Sequence, residues 1–226
     1  MQLSKDYKPN QSRGFLILGQ PGMGKTTTAL QIGTKEVFIS DLDNNLSGAH
    51  RYIKALPNSD FFFDLPTTWE EMSKSVKEAS STAKINTIIL DSFTKLVDMA
   101  IEEILRQQGR KAMQLQDWGV FLLMMKKLIA EMRSTKKLFI ATAHIKPEKD
   151  EVSGIVRYFP AIPGQLQHII GALFSDVLLC ECEERNNKHV YQLRTMPNTF
   201  HALKNSLGLP PVVTVDQVRD AIAKAQ

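Results

Sequence analysis

Apolar residues occur along the chain in short runs, and segments with a helical apolar period separate most of these runs. Runs of this length are typical of buried strands. They start at Phe15, Val37, Phe61, Ile85 and Leu138. Helices are predicted over Thr26–Ile32, Thr68–Ser81, Phe93–Gln108, Asp117–Met132 and Gln165–Ala172. Strands that alternate with helices predict an α/β fold, with a mostly parallel sheet and helices on both faces.

The ends and faces of two helices can also be predicted. Thr67 with Glu70, or Thr68 with Glu71, has the spacing of a capping box at the start of a helix. Asp117 is expected to cap the long helix that runs to Met132. The buried side of that helix is predicted to comprise Val120, Leu123, Met124, Leu128 and Met132.

The last third of the chain has a different pattern. Ile145–Gly164 is charged and is interrupted by proline and glycine, so we expect a long loop that is functional or mobile. Two strand-like runs, Val177–Glu183 and Val190–Met196, flank a polar turn and predict a C-terminal β-hairpin. Thr214 opens a predicted terminal helix.

The composition is that of a globular protein. With 226 residues, 43% of them hydrophobic and 23% charged, the chain suits one sizeable domain. The predicted boundaries are a polar lead-in over 1–12, a domain over 13–213 and a helix over 214–226. No apolar run reaches the ~18–20 residues that cross a bilayer, and we expect a cytoplasmic protein with no membrane partner. The net charge of +4 permits binding to nucleic acid without requiring it.

The strongest signal for function is the stretch from Gly19 to Thr26, which matches G-x-x-x-x-G-K-[ST] at every fixed position. It lies between a predicted strand and a predicted helix, which is the context that this phosphate-binding loop requires. Glycines let backbone N–H groups approach phosphate oxygens closely and permit positive φ. The helix that follows directs its free N–H groups and its dipole toward the anion.

Side chains of the loop have predicted roles as well. Lys25 supplies a positive charge to the β- and γ-phosphates of ATP, and the Thr26 hydroxyl can ligate Mg²⁺. ATP and Mg²⁺ are therefore the expected cofactors. The residues expected to bind the nucleotide are Gly19, Gln20, Pro21, Gly22, Met23, Gly24, Lys25, Thr26 and Thr27.

Polar residues end three other predicted strands. Asp91 follows an apolar run and is predicted to bind Mg²⁺ directly or through water. Asp43 is preferred over Asp41 as the group that orients and deprotonates the attacking water, although both could be solvated turn carboxylates. His144 could sense the γ-phosphate or make a structural hydrogen bond. In a parallel sheet such strand ends meet at one edge, where ligands bind.

The charged segment after His144 contains candidate contacts to nucleic acid. Lys146, Lys149 and Arg157 lie close in sequence to Tyr158, and cations with an aromatic ring suit single-stranded DNA through phosphate contacts and base stacking. Acidic residues in the same segment offset this charge, so a solvated loop is the alternative.

With these residues identified, the chain resembles RecA-like phosphate-loop ATPases from about Arg13 to Val213. The phosphate loop and the segment Ile88–Thr94 carry this resemblance. More narrowly, the chain resembles small bacteriophage nucleotide-binding proteins that include the Sak-type RecA-like single-strand annealing ATPases. The segments that indicate this narrower group are Gln116–Gly119, Ala143–His144 and Ala202–Asn205.

The resemblance implies an ATPase that assembles on single-stranded DNA in phage recombination or replication, as in strand annealing. Because the chain departs from the family's pattern at the positions given below, we expect hydrolysis to be slow or to require the oligomer and DNA. It also implies a homo-oligomer with the nucleotide at subunit interfaces, a single-strand-binding protein as a further partner, and the host cytoplasm as location. RecA-like enzymes usually have Glu after the second strand and Gln at the position of His144, so this chain departs at both places. Lys204 or Arg194 could reach a neighbouring subunit's nucleotide, while a surface role is the alternative for Lys204.

A second class of function remains open at this point. A phosphate-loop ATPase could remodel or load a protein partner without touching DNA. A nucleotide kinase would need an arginine-rich lid, and a GTPase would need an Asn-Lys-x-Asp sequence to read guanine. Neither feature occurs in the sequence.

Overall fold

The computed structural model of the protein describes residues 13–33, 36–53, 61–185 and 187–225. The predicted lead-in over 1–12 lies outside these residues. The strands are β1 (Gly14–Gly19), β2 (Val37–Asp41), β3 (Phe61–Asp64), β4 (Thr87–Asp91), β5 (Leu138–Lys149), β6 (Val156–Pro160), β7 (Asp176–Arg185), β8 (Lys188–Arg194) and β9 (Val212–Val213). The helices are α1 (Lys25–Ile32), α2 (Leu46–Ile53), α3 (Trp69–Ser81), α4 (Phe93–Gln108), α5 (Leu115–Ser134), α6 (Leu166–Leu173) and α7 (Val215–Ala225).

The sheet is mostly parallel. Its strand order is β3-β2-β4-β5-β1-β7-β8-β9. The first six strands in this order run parallel to one another. β8 and β9 add antiparallel, and β6 pairs with the end of β5. The predicted α/β architecture with a C-terminal hairpin is therefore confirmed. In the described ranges no helix is both long enough and apolar enough to span a bilayer.

Helices cover both faces of the sheet and bury it in two hydrophobic clusters. Ile88 and Leu90 of β4 point into a cluster with α3, α4 and α5, whereas Ile89 points into a cluster with α1 and α7. Successive side chains of a strand alternate between faces. A strand buried on both faces therefore needs a continuous apolar run, which is the pattern that located β1, β2, β4 and β5.

The start of α3 settles which of the two predicted capping boxes forms. The Thr68 hydroxyl accepts a hydrogen bond from the Glu71 backbone N–H, and the Glu71 carboxylate accepts one from the Thr68 N–H. The alternative pair of Thr67 with Glu70 is not formed. Instead, the Thr67 N–H also donates to the Glu71 carboxylate, at 2.8 Å.

Helix α5 differs from the prediction at its start and on its buried face. It begins at Leu115, so Asp117 lies in the first turn, where it accepts hydrogen bonds from the Gln114 N–H at 2.8 Å and from Arg110 at 2.7 Å. Val120 is 53% exposed and Leu123 is 69% exposed, contrary to the prediction. The residues that face the core are Phe121, Met125, Leu128, Ile129 and Met132. This part of the helix has apolar residues on all of its sides, so the apolar period could not identify the buried face.

The prediction of a long loop over 145–164 is also wrong in part. β5 continues past His144 to Lys149 and pairs with β6 as an antiparallel ribbon. Asp150 makes the turn between them, because its carboxylate accepts hydrogen bonds from the N–H groups of Val152 and Ser153. Proline and charged residues hid the strand signal, and an edge ribbon tolerates them because only one side of each strand is paired.

Candidate functional site

The predicted strand, loop and helix are present around the phosphate-loop sequence. β1 ends at Gly19 and α1 begins at Lys25. Gly22 and Gly24 both have φ of 78°, in the left-handed region that favours glycine. Gly19 lies against β7, where an added Cβ would be 3.2 Å from the Cys180 carbonyl oxygen. The glycines thus permit both the curvature of the loop and its close packing on the sheet.

Lys25 lies at the centre of the site and is only 7% exposed. Its ammonium donates to the Gln20 carbonyl at 3.1 Å and lies 3.2 Å from Nδ1 of His144. Burial lowers the pKa of Lys25, although nearby acidic groups, Asp91 and Asp43 among them, act in the opposite direction. Burial and the charge of Lys25 also lower the pKa of His144. The His144 ring is therefore neutral at pH 7 and can accept a hydrogen bond from the lysine.

Asp91 is 3% exposed at the end of β4. Its carboxylate accepts a hydrogen bond from the Thr26 hydroxyl at 2.6 Å and another from the Thr142 hydroxyl. Burial raises the pKa of Asp91, and these two hydrogen bonds oppose that shift. Sequence reasoning missed Thr142. Its signal was a polar residue inside the apolar run of β5, two positions before His144.

The donors at this place fit Mg²⁺. The Thr26 hydroxyl and the Asp91 carboxylate are hard oxygen ligands that already touch each other, next to the lysine. No group of three or more His, Cys, Asp or Glu side chains that could hold a metal is found among the described residues. Mg²⁺ commonly takes one or two protein oxygens and completes its shell with phosphates and water. Thr26 and Asp91 are the residues that would hold it here.

The structure separates the roles of the two aspartates after β2. Asp41 is buried, and its carboxylate accepts hydrogen bonds from the N–H groups of Asn45 and Leu46 at 3.0 and 2.9 Å. It therefore secures the start of α2. Asp43 is exposed and lines the same cavity as Lys25 and Asp91. Of the two carboxylates, only Asp43 lines this cavity.

The register of the strands places these residues at the same height along the sheet, at its carboxyl edge. Gly19 of β1 pairs with His144 of β5, and Asp41 of β2 pairs with Asp91 of β4. These four strands are neighbours in the sheet. The His144 backbone N–H donates to the Thr94 hydroxyl at 3.1 Å, which ties the end of this strand segment to α4. The predicted convergence at the carboxyl edge of the sheet is thus found.

Lys204 lies outside the cavity. It pairs with Val177 near the amino end of β7, and its ammonium donates to the Phe174 carbonyl at 2.7 Å. Arg194 forms an ion pair with Glu181 at 2.8 Å. Neither residue reaches the phosphate loop of its own chain, so a contact to a neighbouring subunit's nucleotide stays a prediction for both.

The four candidate DNA contacts lie on the ribbon of β5 and β6 but do not share one face. Register places Lys146 and Arg157 on one face, and Lys149 and Tyr158 on the other. Lys146 forms an ion pair with Glu148 at 3.1 Å. The Tyr158 ring stacks on His201, with ring centroids 5.0 Å apart. One continuous basic surface is therefore not formed by these residues.

The site opens into a cavity of 660 Å³ that extends beyond the phosphate loop. One end is lined by the loop, Asp43, Asp91 and His144. The other reaches β8 and the start of α7, and sequence reasoning missed this wall. Its residues are Tyr191, Gln192, Leu193, Val215, Asp216 and Arg219.

Replacing Asp91 with asparagine is expected to weaken Mg·ATP binding by about 10- to 100-fold. The variant without nucleotide should unfold at the same temperature or a higher one. Burial raises the pKa of the Asp91 carboxyl, so the ionised carboxylate at neutral pH destabilises the folded state. Asparagine carries no charge and avoids this cost. Thermal unfolding with and without Mg·ATP measures both effects, and Asp220→Asn on the surface of α7 is the control. A large loss of stability without nucleotide would show that Asp91 is mainly structural.

Comparison with known proteins agrees with this geometry. A family model described as an AAA domain matches residues 12–206. No curated protein matches significantly. Among solved structures, the chain is similar to a KaiC-like protein from the hyperthermophilic archaeon Pyrococcus horikoshii OT3. The TM-score is 0.50 at 15% identity, over 89% of this chain and 88% of that chain. That likeness concerns the fold alone, which is RecA-like. The narrower resemblance to phage proteins stays a prediction. The chain belongs to the AAA domain family, as a phosphate-loop ATPase domain.

Proposed function

We propose that the protein binds Mg·ATP and hydrolyses it. The observation that carries this proposal is the convergence of Lys25, Thr26 and Asp91 with Asp43 at one end of the cavity. These residues come from the ends of two strands, β2 and β4, and from the start of α1. They supply a cation, a hydroxyl, a buried carboxylate and an exposed carboxylate. A merely structural site would not leave Asp43 open to the cavity beside a desolvated ammonium.

The residues divide the chemistry among them. Backbone N–H groups of the loop and the Lys25 ammonium bind the β- and γ-phosphates, and phosphate oxygens replace the contacts of Lys25 to Gln20 and His144. When bound, Mg²⁺ supplies charge neutralisation on the phosphate oxygens. Asp43 accepts a proton from the attacking water. His144 is neutral and donates a hydrogen bond to the γ-phosphate once its ring no longer accepts one from Lys25.

We further propose that this ATPase works on single-stranded DNA, in the recombination or replication role of the phage group. β5 supports this, because it runs without interruption from His144 into the ribbon that carries Lys146, Lys149 and Arg157. A change at the γ-phosphate end of the strand would then reach these three cations. Base stacking by Tyr158 would require its ring to leave His201.

Turnover of ATP with and without single-stranded DNA tests the proposal. We expect stimulation by DNA that weakens steeply with salt, since each phosphate contact releases counterions. The double substitution of Lys149 and Arg157 by alanine should reduce stimulation several-fold and leave basal turnover unchanged. The double substitution of Lys126 and Lys127 by alanine on α5 removes the same charge elsewhere and is the control.

Two results would change the conclusion. Turnover that is indifferent to DNA, with weak binding that hardly depends on salt, would favour an ATPase that remodels or loads a protein partner. Tight Mg·ATP binding without turnover would indicate a nucleotide-gated binding module in which Asp43 has no catalytic role.

A further inference from the structure

The cavity is larger than a triphosphate site needs, and its second end has a distinct chemistry. A volume of 660 Å³ is typical of sites that enclose a whole small-molecule ligand. The phosphate end is lined by charged and hydroxyl side chains. The second end, between β8 and the start of α7, adds the ring of Tyr191 and the apolar side chain of Val215.

Tyr191 is positioned toward the phosphate loop. Tyr191 and Leu193 lie on the same face of β8, since alternate residues of a strand share a face. Leu193 is buried with Val213 and Val218 in the cluster under α7. Tyr191 lies on this face of β8 two residues before Leu193, and its ring would lie 3.4 Å from a Cβ placed on Gly24.

The ring is also accessible from the cavity. Tyr191 is 51% exposed and lines this partly open cavity. It supplies the only six-membered ring among the described residues that line this cavity. Asp216 and Arg219 close the wall beside it as a surface ion pair of 2.7 Å. Such exposed pairs contribute little to stability, so either member can turn to a ligand at small cost.

From this geometry we propose that the nucleobase of the bound triphosphate lies against the ring of Tyr191, in the part of the cavity between β8 and the start of α7. The inference rests on the proposed function, because it names the subsite for the base of the nucleotide whose phosphates the loop binds. The C-terminal hairpin then completes the nucleotide site. An aromatic ring in contact with a base contributes binding through stacking and area burial.

The test compares two ligands, Mg·ATP and inorganic triphosphate with Mg²⁺, by titration calorimetry. Triphosphate occupies the loop without a base. Tyr191→Ala should weaken ATP binding by about tenfold or more and leave triphosphate affinity unchanged, whereas Tyr191→Phe should bind ATP nearly as the parent does. Phe200→Ala is the control, because Phe200 is a half-exposed aromatic residue outside the cavity.

Each result has a defined meaning. Equal weakening of both ligands in Tyr191→Ala would overturn the inference, since the ring would then only support the loop at Gly24. Unchanged ATP affinity would overturn it too, and so would a parent protein that binds triphosphate as tightly as ATP. In those cases the proposed function stands. A parent protein that binds neither ligand would overturn both.

Discussion

Lys25→Ala is expected to weaken Mg·ATP binding by about 100-fold or more and to abolish turnover. The ammonium is the one full positive charge that the phosphate loop supplies. Each hydrogen bond to a charged group contributes about 1.5–3 kcal/mol, and each factor of ten in affinity is about 1.4 kcal/mol. Loss of the contacts to both the β- and the γ-phosphate therefore corresponds to about 100-fold or more. Loss of this group at the β- and γ-phosphates also removes charge stabilisation from the transition state.

The same variant should fold at least as well as the parent. Burial lowers the pKa of Lys25, so the folded state binds this proton less tightly than the unfolded state does. That cost applies while the lysine is protonated in the folded state, and it disappears as pH rises through the lowered pKa of the folded state toward the ordinary range of a lysine. Alanine removes this cost, together with the contacts of the ammonium to the Gln20 carbonyl and to His144.

Calorimetric titration with Mg·ATP and thermal unfolding without nucleotide measure the two effects of Lys25→Ala. Lys126→Ala, on the exposed side of α5, is the matched control. Near-parental ATP affinity in Lys25→Ala would contradict the site assignment. A strongly lowered unfolding temperature would show instead that the lysine has a structural role.

Asp43→Asn is expected to lower the rate of hydrolysis by about 10²- to 10⁴-fold, the range that general-base catalysis contributes. Affinity for Mg·ATP should change little, because asparagine keeps the shape of the side chain and Asp43 is not placed to hold the phosphates. Single-turnover hydrolysis at saturating Mg·ATP separates the chemical step from binding.

Asp41→Ala provides the contrast within the same turn. Its carboxylate accepts hydrogen bonds from the Asn45 and Leu46 N–H groups. Removing it leaves those donors without partners, at a cost of about 1–3 kcal/mol in the free energy of unfolding. The expected pair of results is a catalytic defect in Asp43→Asn and a stability defect in Asp41→Ala. A normal rate in Asp43→Asn would place the base elsewhere.

The predictable part of the molecule is the part set by local patterns. Buried parallel strands are continuous apolar runs, and the phosphate loop has fixed residues at fixed spacing, so β1, β4 and the loop were predicted correctly. The position of Asp91 at the edge of the sheet followed from its place after such a run. That Asp43 and His144 lie at the same cavity followed from the rule that parallel strands end at one edge of the sheet.

The remainder depends on contacts between distant residues. The sequence could not identify the exposed face of α5, because that helix carries apolar side chains on all of its sides. The ribbon of β5 and β6 was hidden because its stability comes from pairing across a turn, with proline and charge on its open edges. Tyr191 and Arg219 come from different elements, and only folding brings them beside the phosphate loop.

The strand register at the site has a consequence for folding. Gly19 pairs with His144 and Asp41 pairs with Asp91, so the residues that meet there are separated by long stretches of chain. Pairing of such distant segments is slow, since the entropy of loop closure must be lost before the contacts form. A slip of one residue would turn each side chain to the opposite face. The full set of side chains at the site is therefore assembled only when β1, β2, β4 and β5 have paired, which links competence to bind nucleotide to the long-range steps of folding.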